Sequence, residues 1–98
     1  MNATQPRISV ILPFYDAGQE LVDAILSIRR QSFSDWELLL VNNNANAKAS
    51  RIAEEMSKAD ARIKLLHEPV QGIAFALNTG LLRSGGELIA RMDADDIS

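Results

Sequence analysis

Trp36-Glu37-Leu38-Leu39-Leu40-Val41, running straight into Asn42-Asn43-Asn44, is the stretch on which the fold turns. Apolar and polar residues do not alternate here, as they would in a strand with one wet face. The run is continuous, the pattern of a strand covered on both faces, which belongs to a parallel sheet flanked by helices. The asparagines end it, because their amides compete for backbone hydrogen bonds and favour turns. Upstream, Ile8-Ser9-Val10-Ile11-Leu12 is a β-branched run closed by Pro13, which has no N–H for a ladder and predicts the end of a first strand. Between the two runs, after a turn at Asp16-Ala17-Gly18, Leu21, Ala24, Ile25 and Ile28 recur at i, i+3, i+4 and i+7. That stripe predicts an amphipathic helix from Gln19 to Gln31.

Downstream, Ala49, Ile52, Ala53, Met56 and Ala59 share one face of a second helix whose other positions, Lys48, Arg51, Glu54, Glu55 and Lys58, carry mixed charge. Ile63 to His67 reads as a third strand and Pro69 to Gly72 as a loop. A third helix, apolar nearly all round, is predicted from Ile73 to Arg83 and is stopped by Ser84-Gly85-Gly86. Glu87 to Met92 is a fourth strand, and Asp93-Ala94-Asp95-Asp96-Ile97-Ser98 follows it. The order βαβαβαβ predicts an α/β fold, a Rossmann-like parallel sheet in the order three, two, one, four, with right-handed crossovers and helices on both faces. In such sheets ligands lie beyond the carboxyl ends of the strands. Pro13 to Asp16, Asn42 to Asn44 and Asp93 to Asp96 all follow strand ends, so the topology predicts that Pro13, Asn43 and Asp95 converge on one edge.

The 98 residues carry 10 basic and 13 acidic side chains, one His and no Cys, for a formal charge of −3. Disulfide scaffolds, thiolate metal sites and cysteine nucleophiles are excluded, and a single His is too few for a His-based zinc site. Any metal must be held by oxygen. The basic residues are scattered from Arg7 to Arg91 without a run, which argues against nucleic acid as a partner. Met1 to Arg7 is polar with no apolar h-region, and no apolar stretch approaches the length of a membrane span. The expected location is cytoplasmic, or the inner face of the membrane for a full-length protein.

The charge is concentrated. Asp93, Asp95 and Asp96 lie within the last six positions, and without them the signs balance. Acidic pairs often cap helices or decorate loops, yet acids that end an apolar strand at a binding edge are costly without a partner. A hard divalent ion, magnesium or manganese, takes carboxylate oxygens together with substrate phosphates. A nucleotide diphosphate suits such an ion. The dinucleotide fingerprint after strand one is absent, as is a Walker-type glycine loop, so phosphates would be managed by metal rather than by a glycine-rich cradle.

Several motifs together carry a resemblance. Ile8-Ser9-Val10-Ile11-Leu12-Pro13-Phe14-Tyr15, then Ser27 to Phe33, then Asp35-Trp36-Glu37, resemble the opening of the family 2 glycosyltransferases. Gly72 to Gly80, with Ala76 and Asn78, followed by Gly86 to Asp96, is similar to that family's later helix and its terminal Asp-x-Asp. The resemblance implies the N-terminal half of a GT-A fold, in which residues 1–98 form a single nucleotide-sugar-binding portion that stops after the Asp-x-Asp motif. It implies an inverting sugar transfer from a nucleotide-diphosphate donor, a UDP-sugar first among candidates, to a hydroxyl of an acceptor glycan or lipid-linked sugar in bacterial surface polysaccharide assembly.

Carried over residue by residue, Pro13 and Tyr15 correspond to nucleobase contacts and Asn43 to the base-recognising acid. Asp93 corresponds to the acid near the ribose or the metal's water shell, and Asp95 to the ligand of Mn2+ or Mg2+. The chain departs from the family pattern at Asn42-Asn43, where Asp-Asp is usual, and at Asp16, where Asn is usual. An Asn carbonyl can still accept from an imide N–H. The family's catalytic base is a later acid, so these residues are expected to bind donor without catalysing transfer, and to dimerise through an exposed edge.

Other residues are read as structural: Glu37, Gly72, Asn78 and Gly80 for packing, His67 as a spacer, and Arg91 as one half of an ion pair or a phosphate contact. Two further function classes stay open. A nucleotidyltransferase would be marked by a Gly-rich basic loop after strand one, which is missing. A phosphoacceptor module would need an acceptor Asp after strand three, where His67-Glu68-Pro69 stands.

Overall fold

Among the described residues seven elements alternate: β1 (Ile8–Phe14), α1 (Gln19–Arg29), β2 (Trp36–Asn42), α2 (Ala47–Ala59), β3 (Ile63–His67), α3 (Ile73–Arg83) and β4 (Leu88–Arg91). The computed structural model describes residues 7–15, 18–31 and 35–92. All the strands are parallel, in the order β3-β2-β1-β4. β1 runs level with β2 from Ile8↔Trp36 to Phe14↔Asn42, and β2 with β3 from Leu38↔Ile63 to Asn42↔His67. The parallel α/β fold and the predicted strand order are therefore observed.

Strand periodicity divides the core in two. Leu12 and Phe14 of β1 and Trp36, Leu38 and Leu40 of β2 point to one face, where they meet Leu21, Ala24, Ile25 and Ile28 of α1 and Ala49 and Ala53 of α2. Ile11, Leu39 and Val41 point to the other face and meet Ala76 of α3. β2 is buried along its whole length, as its uninterrupted apolar run requires. α3 can lie close because Gly80 faces β1: a Cβ there would sit 2.5 Å from Ile11 Cγ2. The second helix is capped by Asn46, whose Oδ1 accepts from the Ala49 N–H at 2.7 Å.

Five boundaries differ from expectation, among them β2, which runs on to Asn42, and β4, which stops at Arg91. β1 continues through Pro13 to Phe14. The carbonyl of Ile11 accepts from Met92 N–H and that of Phe14 from Asn43 N–H. By alternation the Pro13 nitrogen faces the edge strand β4, where pairing ends at Ile11↔Arg91, while pairing with β2 continues past it to Phe14↔Asn42. α1 stops at Arg29, where Arg30 and Gln31 donate back to Leu26 and Ile28 in a closing turn. β4 begins at Leu88, one residue later than expected. No helix among the described residues is long and apolar enough to cross a membrane.

Candidate functional site

At the carboxyl edge of the sheet, β1 delivers Tyr15, β2 delivers Asn42 to Asn44, and β3 leads through His67 into the loop 68–72. Pro13 is buried in β1, while Tyr15 is half exposed. The Tyr15 carbonyl accepts from Asn46 N–H at 3.2 Å, which joins the β1 and β2 tips.

The asparagines do separate jobs. Asn42 Oδ1 accepts from Ala45 N–H at 2.8 Å and its Nδ2 donates to Ser50 Oγ at 2.9 Å, closing the turn into α2. Asn43 is buried, and its side chain reaches across to the β3–α3 loop. Its Nδ2 donates to the carbonyls of Glu68 and Val70 at 2.8 and 2.9 Å, and its Oδ1 accepts from Gly72 N–H at 2.8 Å. Asn44, at φ +65°, donates to the Pro69 carbonyl at 2.8 Å. Within the loop the Glu68 carboxylate accepts from Val70 N–H and from the Thr79 hydroxyl. These two hydrogen bonds hold its carboxyl below the usual glutamate value. Gly72 then starts α3 at φ +139°, a backbone region that L side chains rarely adopt. Asn78 is exposed on α3 and His67 is exposed at the end of β3.

β4 approaches the same edge. Arg91 is level with Ile11, and Met92 N–H donates to the Ile11 carbonyl at 3.0 Å, so the chain leaves β4 heading along β1 toward Pro13. Asp93, Asp95 and Asp96, and Asp16 after β1, lie outside the described residues. Among the described residues no group of three His, Cys, Asp or Glu side chains could hold a metal ion. By donor chemistry the acids after Met92 fit a hard cation, since carboxylate oxygens are what magnesium and manganese take.

The opposite edge holds a cluster built on the buried Glu37 carboxylate. Glu37 Oε2 accepts from Ser9 Oγ at 2.6 Å and from Gly85 N–H at 2.7 Å, while Oε1 accepts from Lys64 Nζ at 3.1 Å. Ser9 Oγ also accepts from Gly86 N–H at 2.8 Å. Burial pushes the Glu37 carboxyl up, but the hydrogen bonds from Ser9, Gly85 and Lys64 together outweigh it and hold it below the usual value. Glu37 thus ties three strands to the α3–β4 loop, remote from the candidate site. Sequence reading treated it as structural and missed the partners, which lie 27 to 48 positions away.

Comparison with known proteins agrees with this geometry. The family model described as glycosyl transferase family 2 matches residues 9–98. The chain is 37% identical over 91 residues to the uncharacterized glycosyltransferase EpsJ of Bacillus subtilis, covering 93% of this chain and 26% of that protein. It is likewise 37% identical over 91 residues to an Escherichia coli protein, UDP-Glc:alpha-D-GlcNAc-diphosphoundecaprenol beta-1,3-glucosyltransferase WfgD, covering 92% of this chain and 35% of that one. Among solved structures, the mannosyltransferase PcManGT from Pyrobaculum calidifontis, in complex with GDP-Man and Mn2+, superposes with a TM-score of 0.83 at 25% identity, covering 96% of this chain and 29% of that one. S. aureus TarS 1-349 in complex with UDP shares the fold, with a TM-score of 0.82 at 22% identity over 91% of this chain and 27% of its own. The chain spans about a quarter to a little over a third of the curated relatives it matches. Its sequence from residue 9 onward and its parallel α/β sheet agree on one assignment: the chain belongs to glycosyl transferase family 2.

Proposed function

We propose that residues 1–98 form the donor-binding portion of a glycosyltransferase that moves a sugar from a nucleotide-diphosphate donor to an acceptor hydroxyl, with inversion at the anomeric carbon. The observation that carries this reading is the convergence of the β1 tip, the β2 tip and the outgoing end of β4 on one sheet edge. The printed names of the relatives support it: one E. coli relative is named for UDP-Glc and a diphosphoundecaprenol acceptor, and the Pyrobaculum neighbour holds GDP-Man and Mn2+. Bacterial surface polysaccharide assembly, at the cytoplasmic face of the membrane, is the matching role.

In this reading Pro13 and Tyr15 border the nucleobase. Asn43 has only one Oδ1 lone pair to offer a base N–H, since Gly72 takes the other. Asp93 and Asp95 would hold the cation. A manganese or magnesium ion bound there supplies neutralisation of the charge that develops on the departing diphosphate. Among the described residues, neither buried Glu37, engaged at the far edge, nor Glu68, braced within its loop, is placed to deprotonate an acceptor.

A melting panel of UDP, GDP, ADP and CDP, each with and without manganese, tests the reading, because a ligand that binds only the folded state raises its melting temperature. A manganese-dependent rise for at least one nucleotide is expected. No rise with any of them defeats the donor-site reading.

A further inference from the structure

The β3–α3 loop is held by side chains from a different strand. Its carbonyls at Glu68, Pro69 and Val70 all accept from the β2 tip: the first and third from Asn43, the second from Asn44. Its Gly72 N–H donates to Asn43 as well. One buried amide therefore uses both N–H groups and one lone pair on a single loop. This wiring requires an amide. A carboxylate of the same shape at position 43 has no hydrogen to give and would set negative charge against two carbonyl oxygens.

We propose that Asn43 is a positioning residue, the buckle that fixes the conformation of the β3–α3 loop and through it one wall of the nucleotide-sugar site. The proposal rests on the donor-site reading above and goes beyond it by assigning Asn43 a role carried through loop 68–72. That loop sets Gly72 at its positive φ and so fixes where α3 begins. It also carries Val70, half exposed at the sheet edge to which Tyr15 is delivered. Neutral Asn at this position, in place of an acid, is then explained by its donors.

The test compares the native chain with Asn43→Asp and with Gly72→Ala, which disturbs the loop from its other end and leaves the side chain at position 43 unchanged. Two quantities are measured on each: hydrogen-exchange protection of residues 68–73 without nucleotide, and affinity for UDP and GDP with manganese. Loss of two hydrogen bonds predicts protection in the loop lowered about tenfold or more, with protection of β1 and β2 unchanged, and a parallel fall of about tenfold in nucleotide affinity. Gly72→Ala should reproduce both losses.

The deficit of Asn43→Asp should also narrow as pH falls, because a protonated carboxyl regains one donor. Glu68 and His67, the neighbouring titratable groups, are common to both chains and cancel in the comparison. A deficit in nucleotide affinity with loop protection intact would overturn the proposal, since Asn43 would then act by direct contact. Lost protection with unchanged affinity would overturn it from the other side. If the native chain bound none of UDP, GDP, ADP and CDP, the donor-site reading would fail first, and the role assigned to the loop with it.

Discussion

Glu37 shows how much of this sheet depends on single polar atoms. It is buried at the start of β2, yet each of its oxygens has a partner, and those partners come from β1, β3 and the α3–β4 loop. Glu37→Ala leaves the Ser9 hydroxyl, the Gly85 N–H and the exposed Lys64 ammonium without their buried acceptor and should cost about 1–3 kcal/mol of unfolding free energy. Glu37→Gln, which keeps an acceptor oxygen, should cost less than half of that. Because the folded-state pKa lies below the ordinary 4.5, the carboxylate's contribution is complete above that pH and lost as pH falls through the folded value. Asp60 has the same sign, its carboxyl held down chiefly by hydrogen bonding from Arg62. The decisive quantity is therefore the stability difference between the native chain and Glu37→Gln, measured by urea unfolding above and below pH 4.5. A difference that does not shrink in acid would remove the assigned role. Gly86 is the companion case: a Cβ there would lie 2.7 Å from the Ser9 nitrogen and from its Oγ. Gly86→Ala should cost about 1–3 kcal/mol by the same measurement, through a forced backbone shift.

Elements were legible where packing follows periodicity and illegible where distant side chains decide. The i, i+3, i+4, i+7 stripe of α1 contains the residues that are buried in that helix, and the apolar run of β2 is buried throughout. Pro13 misled because the residue type says only that an N–H is missing. Whether a missing N–H ends the strand depends on which neighbour it faces, and β4, the neighbour on that side, ends 78 positions along the chain. The Asn43 wiring was hidden for the same reason, with its partners 25 to 29 positions away. α3 was correctly bounded, but only Ala76 and Gly80 are buried in it, and Ile73, Phe75, Leu81 and Leu82 stay half or more exposed. β4 is exposed along its length, with Leu88 and Ile89 uncovered. A groove of about 350 Å3, lined by Ile8, Val10, Ile28, Trp36, Ala90 and Met92 among others, opens beside it. An edge strand and apolar surface of this kind favour association. Sedimentation at tens of micromolar is expected to show self-association that Ile89→Lys weakens. A strictly monomeric native chain would count against it.

At the scale of the whole molecule, the two edges of the sheet divide the work. The amino edge is stapled by Glu37, Ser9 and Gly86, while the carboxyl edge collects Tyr15, the asparagine tip, the braced β3–α3 loop and the chain leaving β4. Family membership and strand order could be read from the motifs because these follow chain order, whereas the metal ligands lie beyond the described residues and rest on the proposal. Asp95 is where that proposal is most exposed. Thermal unfolding of the native chain and of Asp95→Ala, each with UDP or GDP and with or without manganese, tests it most directly. At a hundredfold excess over Kd, binding stabilises the folded state by about 2.7 kcal/mol, which for a domain of this size is a rise on the order of 10 °C. The account predicts that rise in the native chain only with manganese, and its loss in Asp95→Ala. An equal, manganese-dependent rise in both proteins would contradict it.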